Sequence, residues 1–445
     1  MWLSKMFSGD QRTVLAKKNI AGSFIIKGWS CIIQFLLVPI ILKCLNQYEY
    51  GIWLTLNSML IWIDYFDIGL GNGLRNRLTE ALASDDFSRA KKLTSTTFCM
   101  LALIIIPLIT LLIILIHITD CYSLFNVSPT ITPNLRSILY ISVILVGGTF
   151  IFKFIGNIYL GLQLPAINNL LVTAGRTLSL VGIAILAIIK DHSLLHVVFI
   201  YTLSPLLVYL FAYPITFKKY TFLRPNMDYF DKRELSGLFS LGIKFFLVQI
   251  GGAILFASSN LLISNILSPS EVTPYQICYY YFNIPLIIFT IISTPLWSAT
   301  TDAYCKGEWE WIKRTEKKMH FILILIGLLI GTMIIVSPII YRLWIGSSIH
   351  IDMKLSFFMG IYIGILIFSL FYSNILNGIG KIWLLTLMTL IEAGTFLPVA
   401  YFLGKEYGLI GIVTALIIVN SLCAVTNFIQ FRKLVNMTAI GIWNK

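Results

Sequence analysis

The sequence predicts an all-α polytopic membrane protein, with about twelve transmembrane helices in two six-helix lobes. Three observations carry that prediction. Of 445 residues, 58% are hydrophobic and only 12% charged, too few charges to cover a water-soluble fold of this size. Apolar runs such as 101–116 and 321–337 recur from end to end, and hydrocarbon is the solvent that suits them. Short alternating strands, the signature of a barrel, are absent, so helices must satisfy the backbone within the membrane.

In order along the chain, spans are expected at 20–42, 49–70, 97–119, 135–157, 167–189, 196–217, 239–265, 275–299, 319–340, 355–376, 382–403 and 408–431. This gives an N-terminal lobe over 1–217, a basic linker over 218–238, a C-terminal lobe over 239–431 and a tail over 432–445. The first nineteen residues are polar and basic, and the run that follows is too long for a signal-peptide core, so the first helix is expected to remain.

A net charge of +13 in a soluble protein would point to nucleic acid. Here 23 of the Lys and Arg fall in loops on the side of the N-terminus and 6 on the other. Such a bias sets topology, and it places both termini in the cytoplasm with no nucleic-acid partner. The seven cysteines are scattered, odd in number and never in a CxxC pair, which argues against disulfides or zinc. The longest hydrophilic stretch, 71–96, reads as a cytoplasmic loop. No outward loop has room for a catalytic domain, which weighs against a membrane glycosyltransferase and against enzymatic activity. A GxxxxGK[ST] motif is absent, and no cofactor is expected.

A weak parallel repeat shows between the halves. Ile26-Lys27-Gly28 has a counterpart in Ile243-Lys244-Phe245, and 82–92 has one in 303–314. The offsets are 217 for the lysines and 222 for the loops.

Seven ionisable side chains fall within the spans: Lys27, Asp64, Asp67, Lys153, Arg176, Lys244 and Glu392. Each costs on the order of a few kcal/mol unless it meets water or a partner. Lys27, Lys153 and Lys244 either snorkel to headgroups or line a cationic vestibule for an anionic substrate. Arg176 lies too deep to snorkel and is the foremost vestibule candidate. Asp64 and Asp67, three apart on one face, are placed to neutralise Lys27. Glu392 sits mid-span with Thr389 and Thr395 on its face. There it reads either as a protonated structural residue or as a proton or sodium coupling site.

Several stretches resemble the Wzx-type O-antigen flippases, the polysaccharide transport branch of the superfamily that also holds multidrug exporters. They are Tyr50-Gly51-Ile52-Trp53, then Asp67 to Arg77 leading into Leu78-Thr79-Glu80-Ala81. Thr301-Asp302-Ala303-Tyr304 with Gly307-Glu308-Trp309, and Asn377 to Lys381, add to the resemblance. It covers essentially the whole chain. It implies ion-coupled alternating access in the bacterial inner membrane, moving undecaprenyl-pyrophosphate-linked repeat units to the periplasmic leaflet. Polymerase and chain-length proteins of polysaccharide assembly are the implied partners. On this reading Arg176, Lys27, Lys244 and Lys153 would meet the pyrophosphate, and Glu392, Asp64 and Asp67 would serve ion coupling. A multidrug antiporter of the same superfamily, or a peptidoglycan-precursor flippase, remains the alternative.

Overall fold

The computed structural model describes residues 11–60, 62, 63, 66, 70–235, 258–381 and 383–444. Asp64, Asp67, Lys244 and most of the seventh expected span lie outside the described residues. Within them the chain is helical, with turns and short 3-10 segments between helices and no strand. It divides into two compact units, Met1–Gln249 and Ile250–Lys445.

The first unit contains α1 (Gln11–Cys44), α2 (Gln47–Leu60), α3 (Leu70–Ala83), α4 (Phe87–Ile118) and α5 (Cys121–Phe125). It continues with α6 (Leu135–Phe152), α7 (Phe154–Gly161), α8 (Pro165–Ile188) and α9 (Leu194–Lys219). Here α1 packs on α8, α8 on α9, α9 on α6, and α6 on α4. The second unit has helical residues 258–266, then α10 (Pro269–Cys305), α11 (Trp309–Ile345), α12 (Met353–Ile379) and α13 (Trp383–Val435). Its centre is α12, which packs on α10, α11 and α13.

Among the described residues, nine segments are long and apolar enough to cross a membrane. The last of these, α13, is two helices joined at Gly408, whose φ of 62° and ψ of −139° interrupt the helix. That break falls at the expected start of the twelfth span.

The second expected span and the loop after it take a different form. α2 ends at Leu60, and a separate helix, α3, occupies the start of the stretch read as a hydrophilic loop. Its sequence explains why. Leu70, Leu74, Leu78 and Ala81 recur at helical spacing and are completely buried, while Arg75, Asn76 and Glu80 are exposed. The apolar stripe packs on α4 and α7, and Thr79 Oγ1 donates to the Gly161 carbonyl at 2.9 Å. High polar content disguised an amphipathic helix as a loop.

The repeat has a structural counterpart at the expected offset of 222. Both segments turn through a left-handed residue, Asp85 (φ 54°) in one and Gly307 (φ 71°) in the other. Asp86 N donates to Ala81 O at 2.9 Å, and Glu308 N to Ala303 O at 2.8 Å. Asp86 and Glu308 then occupy the N-cap positions of α4 and α11, where an acidic side chain favours the helix dipole.

The chain after α9 is tied back onto α4 as a strap. Arg89 pairs with Glu234 at 3.1 Å and Lys92 with Asp231 at 3.2 Å. Ser95 and Thr96, buried polar residues on α4, accept from the backbone N–H of Asn226 (3.1 Å) and Asp231 (3.0 Å). Lys91 lies 4.1 Å above the Tyr229 ring. The Arg233 backbone N–H, followed by the Lys92 ammonium, holds the Asp231 carboxyl below the usual carboxylate range.

Candidate functional site

The N-terminal unit gathers cations along the seam between α1 and α8. Arg176 sits at the midpoint of the 24-residue α8, roughly 17 Å from either end at helical rise. Its side chain is exposed, and Nη1 donates to Ser30 Oγ on α1 at 2.9 Å. One residue away on each helix, Trp29 Nε1 donates to Thr177 Oγ1 at 3.3 Å. Lys27, also exposed, lies three residues before Ser30 and so shares its face. The two cations therefore occupy the same stretch of one helix pair. A single serine hydroxyl orients the arginine while leaving most of its guanidinium donors to other partners.

Lys153 is placed differently. It forms the joint between α6 and α7, half-buried, with φ −60° and ψ −18°, and its backbone N–H donates to Thr149 O at 2.8 Å. It is not on the α1–α8 seam. Lys244, Asp64 and Asp67 are not among the described residues.

Glu392, in the C-terminal unit, is 5% exposed on the first arm of α13. Its carboxylate lies beside the Cys423 thiol on the second arm, near enough to interact with it. Cys423 also lies beside Ser369 of α12 and accepts from Asn427 Nδ2 at 3.4 Å, and the same Asn427 amide donates to Ser373 Oγ at 2.9 Å. Tyr362, fully buried on α12, lies near enough to Glu392 to interact with it electrostatically. Among the described residues, Glu392 Oε1 and Asn427 Oδ1 are buried and lack a hydrogen-bond partner. Thr389 and Thr395, expected on the face of Glu392, donate to the carbonyls one turn back, at 3.0 Å and 2.7 Å. Two acceptor oxygens, two serines and an asparagine inside an apolar helix trio make an oxygen-rich niche. Such a niche can take a proton or hold a small hard cation.

Sequence reasoning missed Cys423, Asn427, Ser369 and Ser373. Their signal was present as two polar pairs at i, i+4 spacing inside apolar spans. It also missed Glu316, which reads as one more charge in a basic loop. Glu316 is 4% exposed near the start of α11. Its Oε1 accepts from Tyr372 OH at 3.1 Å and meets Arg432 at 3.2 Å. His320 Nε2 bonds the same tyrosine oxygen at 3.1 Å. This knot ties α11, α12 and the end of α13, and the aromatic rings of Phe371, Phe428 and Phe431 surround Tyr372.

Comparison with solved structures places this arrangement of apolar helices among transporter folds. The fold is similar to that of a multidrug resistance MATE family transporter of the MOP superfamily, solved in an inward-facing conformation, with a TM-score of 0.74 at 16% identity. That likeness covers 94% of this chain and 95% of the other. An outward-facing structure of such a transporter matches with a TM-score of 0.62 at 15% identity, covering 98% of each. The chain belongs to the polysaccharide biosynthesis protein family, which its residues 16–300 match. It is 23% identical over 424 residues to a Salmonella typhi protein named "Putative O-antigen transporter", covering 92% of this chain and 93% of that one. A Yersinia pseudotuberculosis protein named "Putative O-antigen export protein" is 23% identical over 410 residues, covering 87% and 89%.

Proposed function

We propose that this protein is an inner-membrane flippase, not an enzyme, that carries undecaprenyl-pyrophosphate-linked O-antigen repeat units from the cytoplasmic to the periplasmic leaflet. The observation that carries the reading is Arg176: an exposed guanidinium at the middle of an apolar helix, steered by Ser30 and joined on its face by Lys27. Hydrocarbon is a costly environment for such a group, so its face must meet water or an anion. Arginine pairs with phosphate through two parallel hydrogen bonds, and a pyrophosphate is the anionic part of the substrate that the resemblance to O-antigen flippases implies. A multidrug antiporter that received cationic drugs would need carboxylates on that seam, where cations stand.

Ion coupling belongs to the same proposal. Glu392, with its unpartnered oxygen, is the group to sense a proton or sodium gradient, and the two units would alternate access as that carboxylate changes occupancy. Asp64 and Asp67 are the second choice. Deleting the gene should abolish surface O-antigen and leave lipid-linked repeat units inside the cell, and a plasmid copy should restore export. Unchanged surface polysaccharide in the deletion strain would refute the function.

Topology is part of the proposal too, with both termini cytoplasmic. Reporter fusions after Arg89, Arg233 and Lys313 should score cytoplasmic, and one after Asn126 periplasmic. A periplasmic score at two of the three basic sites would reverse the orientation.

A further inference from the structure

Between α4 and the strap runs a groove of about 600 Å³, unrelated to the seam of α1 and α8. Cys99, Ala102, Leu103 and Ile106 line it on α4, and Pro225 and Met227 close it from the strap. Its α4 wall, 98–107, is about 14 Å long at helical rise. Leu103 and Ile106 are 64% and 57% exposed, and the apolar surface continues along α4 through Leu111 and Ile114. Met227 is 81% exposed although charged residues flank it on the strap. An apolar side chain in that position has its natural place in acyl chains.

The rim of the groove carries the opposite chemistry. Over 86–92 and 218–235 the sequence has eight Lys and Arg against four Asp and Glu. The four carboxylates are engaged locally. Asp86 caps α4 through the Arg89 N–H, Asp228 accepts from the Asn226 amide, Asp231 pairs with Lys92, and Glu234 pairs with Arg89. Lys91 and Lys219 lie over tyrosine rings, which leaves their charge uncompensated. Arg224, exposed, immediately precedes Pro225 of the groove wall.

We propose that this groove binds an anionic glycerophospholipid, one acyl chain lying along Cys99 to Ile106 and the headgroup held by Arg224 and Lys91. The apolar wall suits a chain and the cationic rim suits a phosphate that carries net charge. A zwitterionic headgroup has no net charge to match the rim. Because the strap is bound to α4 by the pairs described above, a lipid wedged beneath Met227 would fasten strap and helix together. This proposal does not depend on which substrate the protein transports.

Full-length protein in nanodiscs carrying phosphatidylglycerol or phosphatidylethanolamine, each with a photoreactive acyl chain, tests it. Illumination should attach phosphatidylglycerol to the peptides holding Cys99–Ile106 and Met227 several-fold more than phosphatidylethanolamine. Ala102→Trp, which fills the groove, should suppress those adducts. Arg224→Gln lies outside the groove and keeps the wall intact; it should remove the preference for phosphatidylglycerol. Equal labelling by both lipids, or labelling indifferent to Ala102→Trp in protein that melts like the wild type, would reduce the groove to ordinary boundary lipid and overturn the proposal. Displacement of the adducts by undecaprenyl phosphate but not by excess unlabelled phosphatidylglycerol would overturn it as well, assigning the groove to the polyprenyl carrier.

Discussion

Arg176→Ala should abolish export of lipid-linked repeat units while leaving the amount of protein in the membrane unchanged. The reason lies in what Arg176 does in the fold. Its side chain is exposed and its recorded contact is one hydroxyl, Ser30 Oγ, so truncation leaves no buried charge stranded and the packing of α1 on α8 persists. What disappears is a charge-assisted pair with a phosphate. Hydrogen bonds to charged groups contribute about 1.5–3 kcal/mol each, and every 1.4 kcal/mol is a factor of ten in affinity. Loss of one such bond therefore weakens loading roughly ten- to a hundredfold, and loss of a bidentate pair does more. Arg176→Lys keeps the charge without the planar fork and should retain part of the activity. Lys27→Ala should give a smaller loss, since its neighbour on the seam remains. Surface polysaccharide at the wild-type level in Arg176→Ala, with export rates measured and not just end-point amounts, would return the residue to a structural role.

Glu392→Gln should fold and reach the membrane yet lose dependence on the ion gradient. Glutamine preserves the shape of the side chain and can still pack beside Cys423. It cannot exchange a proton and offers a weaker ligand to sodium. Moving an amphiphile with a large polar headgroup requires an energy source, and a carboxylate whose charge depends on occupancy is a direct way to bias two conformations. A free-energy difference of about 1.4 kcal/mol between the two occupancy states already shifts a two-state equilibrium tenfold. In vesicles with an imposed proton or sodium gradient, wild-type transport should follow the gradient and Glu392→Gln transport should not. Asp64→Asn serves as the comparison and should keep gradient dependence. If Glu392→Gln followed the gradient as the wild type does, coupling would pass to Asp64 or Asp67.

The helical membrane class was legible because it rests on bulk composition, which tertiary packing does not alter. Span boundaries were legible at α8 and α12, which start and end within three residues of the expected 167–189 and 355–376, whereas α4 ends near the expected position but begins ten residues early, at Phe87. They were not legible at 70–83, where an amphipathic helix has the composition of a loop and only the spacing of Leu70, Leu74 and Leu78 reveals it. The linker over 218–238 read as a basic connector. That its residues 226–234 are strapped to α4 depends on Arg89–Glu234 and Lys92–Asp231, pairs more than a hundred residues apart that no local pattern specifies. Arg176 and Glu392 stood out because an ionisable group deep in an apolar run is conspicuous. Ser30 and Cys423, which orient them, did not stand out, since a lone serine or cysteine in a span carries no signal until a partner helix brings it to a charge.

The corner at Gly408 sets a register. Residue 408 takes a backbone conformation that side chains rarely adopt, and a Cβ at Gly411 would strike the carbonyl of Leu403, so the chain reverses there with almost no loop. Glu392 and Cys423 lie about 16 and 15 residues on either side of it, each about 23 Å along its arm. The corner thus acts as the fold line of a ruler whose two arms must agree in length for carboxylate and thiol to meet. One residue inserted between Gly411 and Cys423 would advance the second arm by about 1.5 Å and rotate it by about 100°, turning Cys423 away from Glu392 while both helices stayed intact. Length in this hairpin is therefore as constrained as residue identity, and natural or engineered insertions in the C-terminal unit belong outside 392–423.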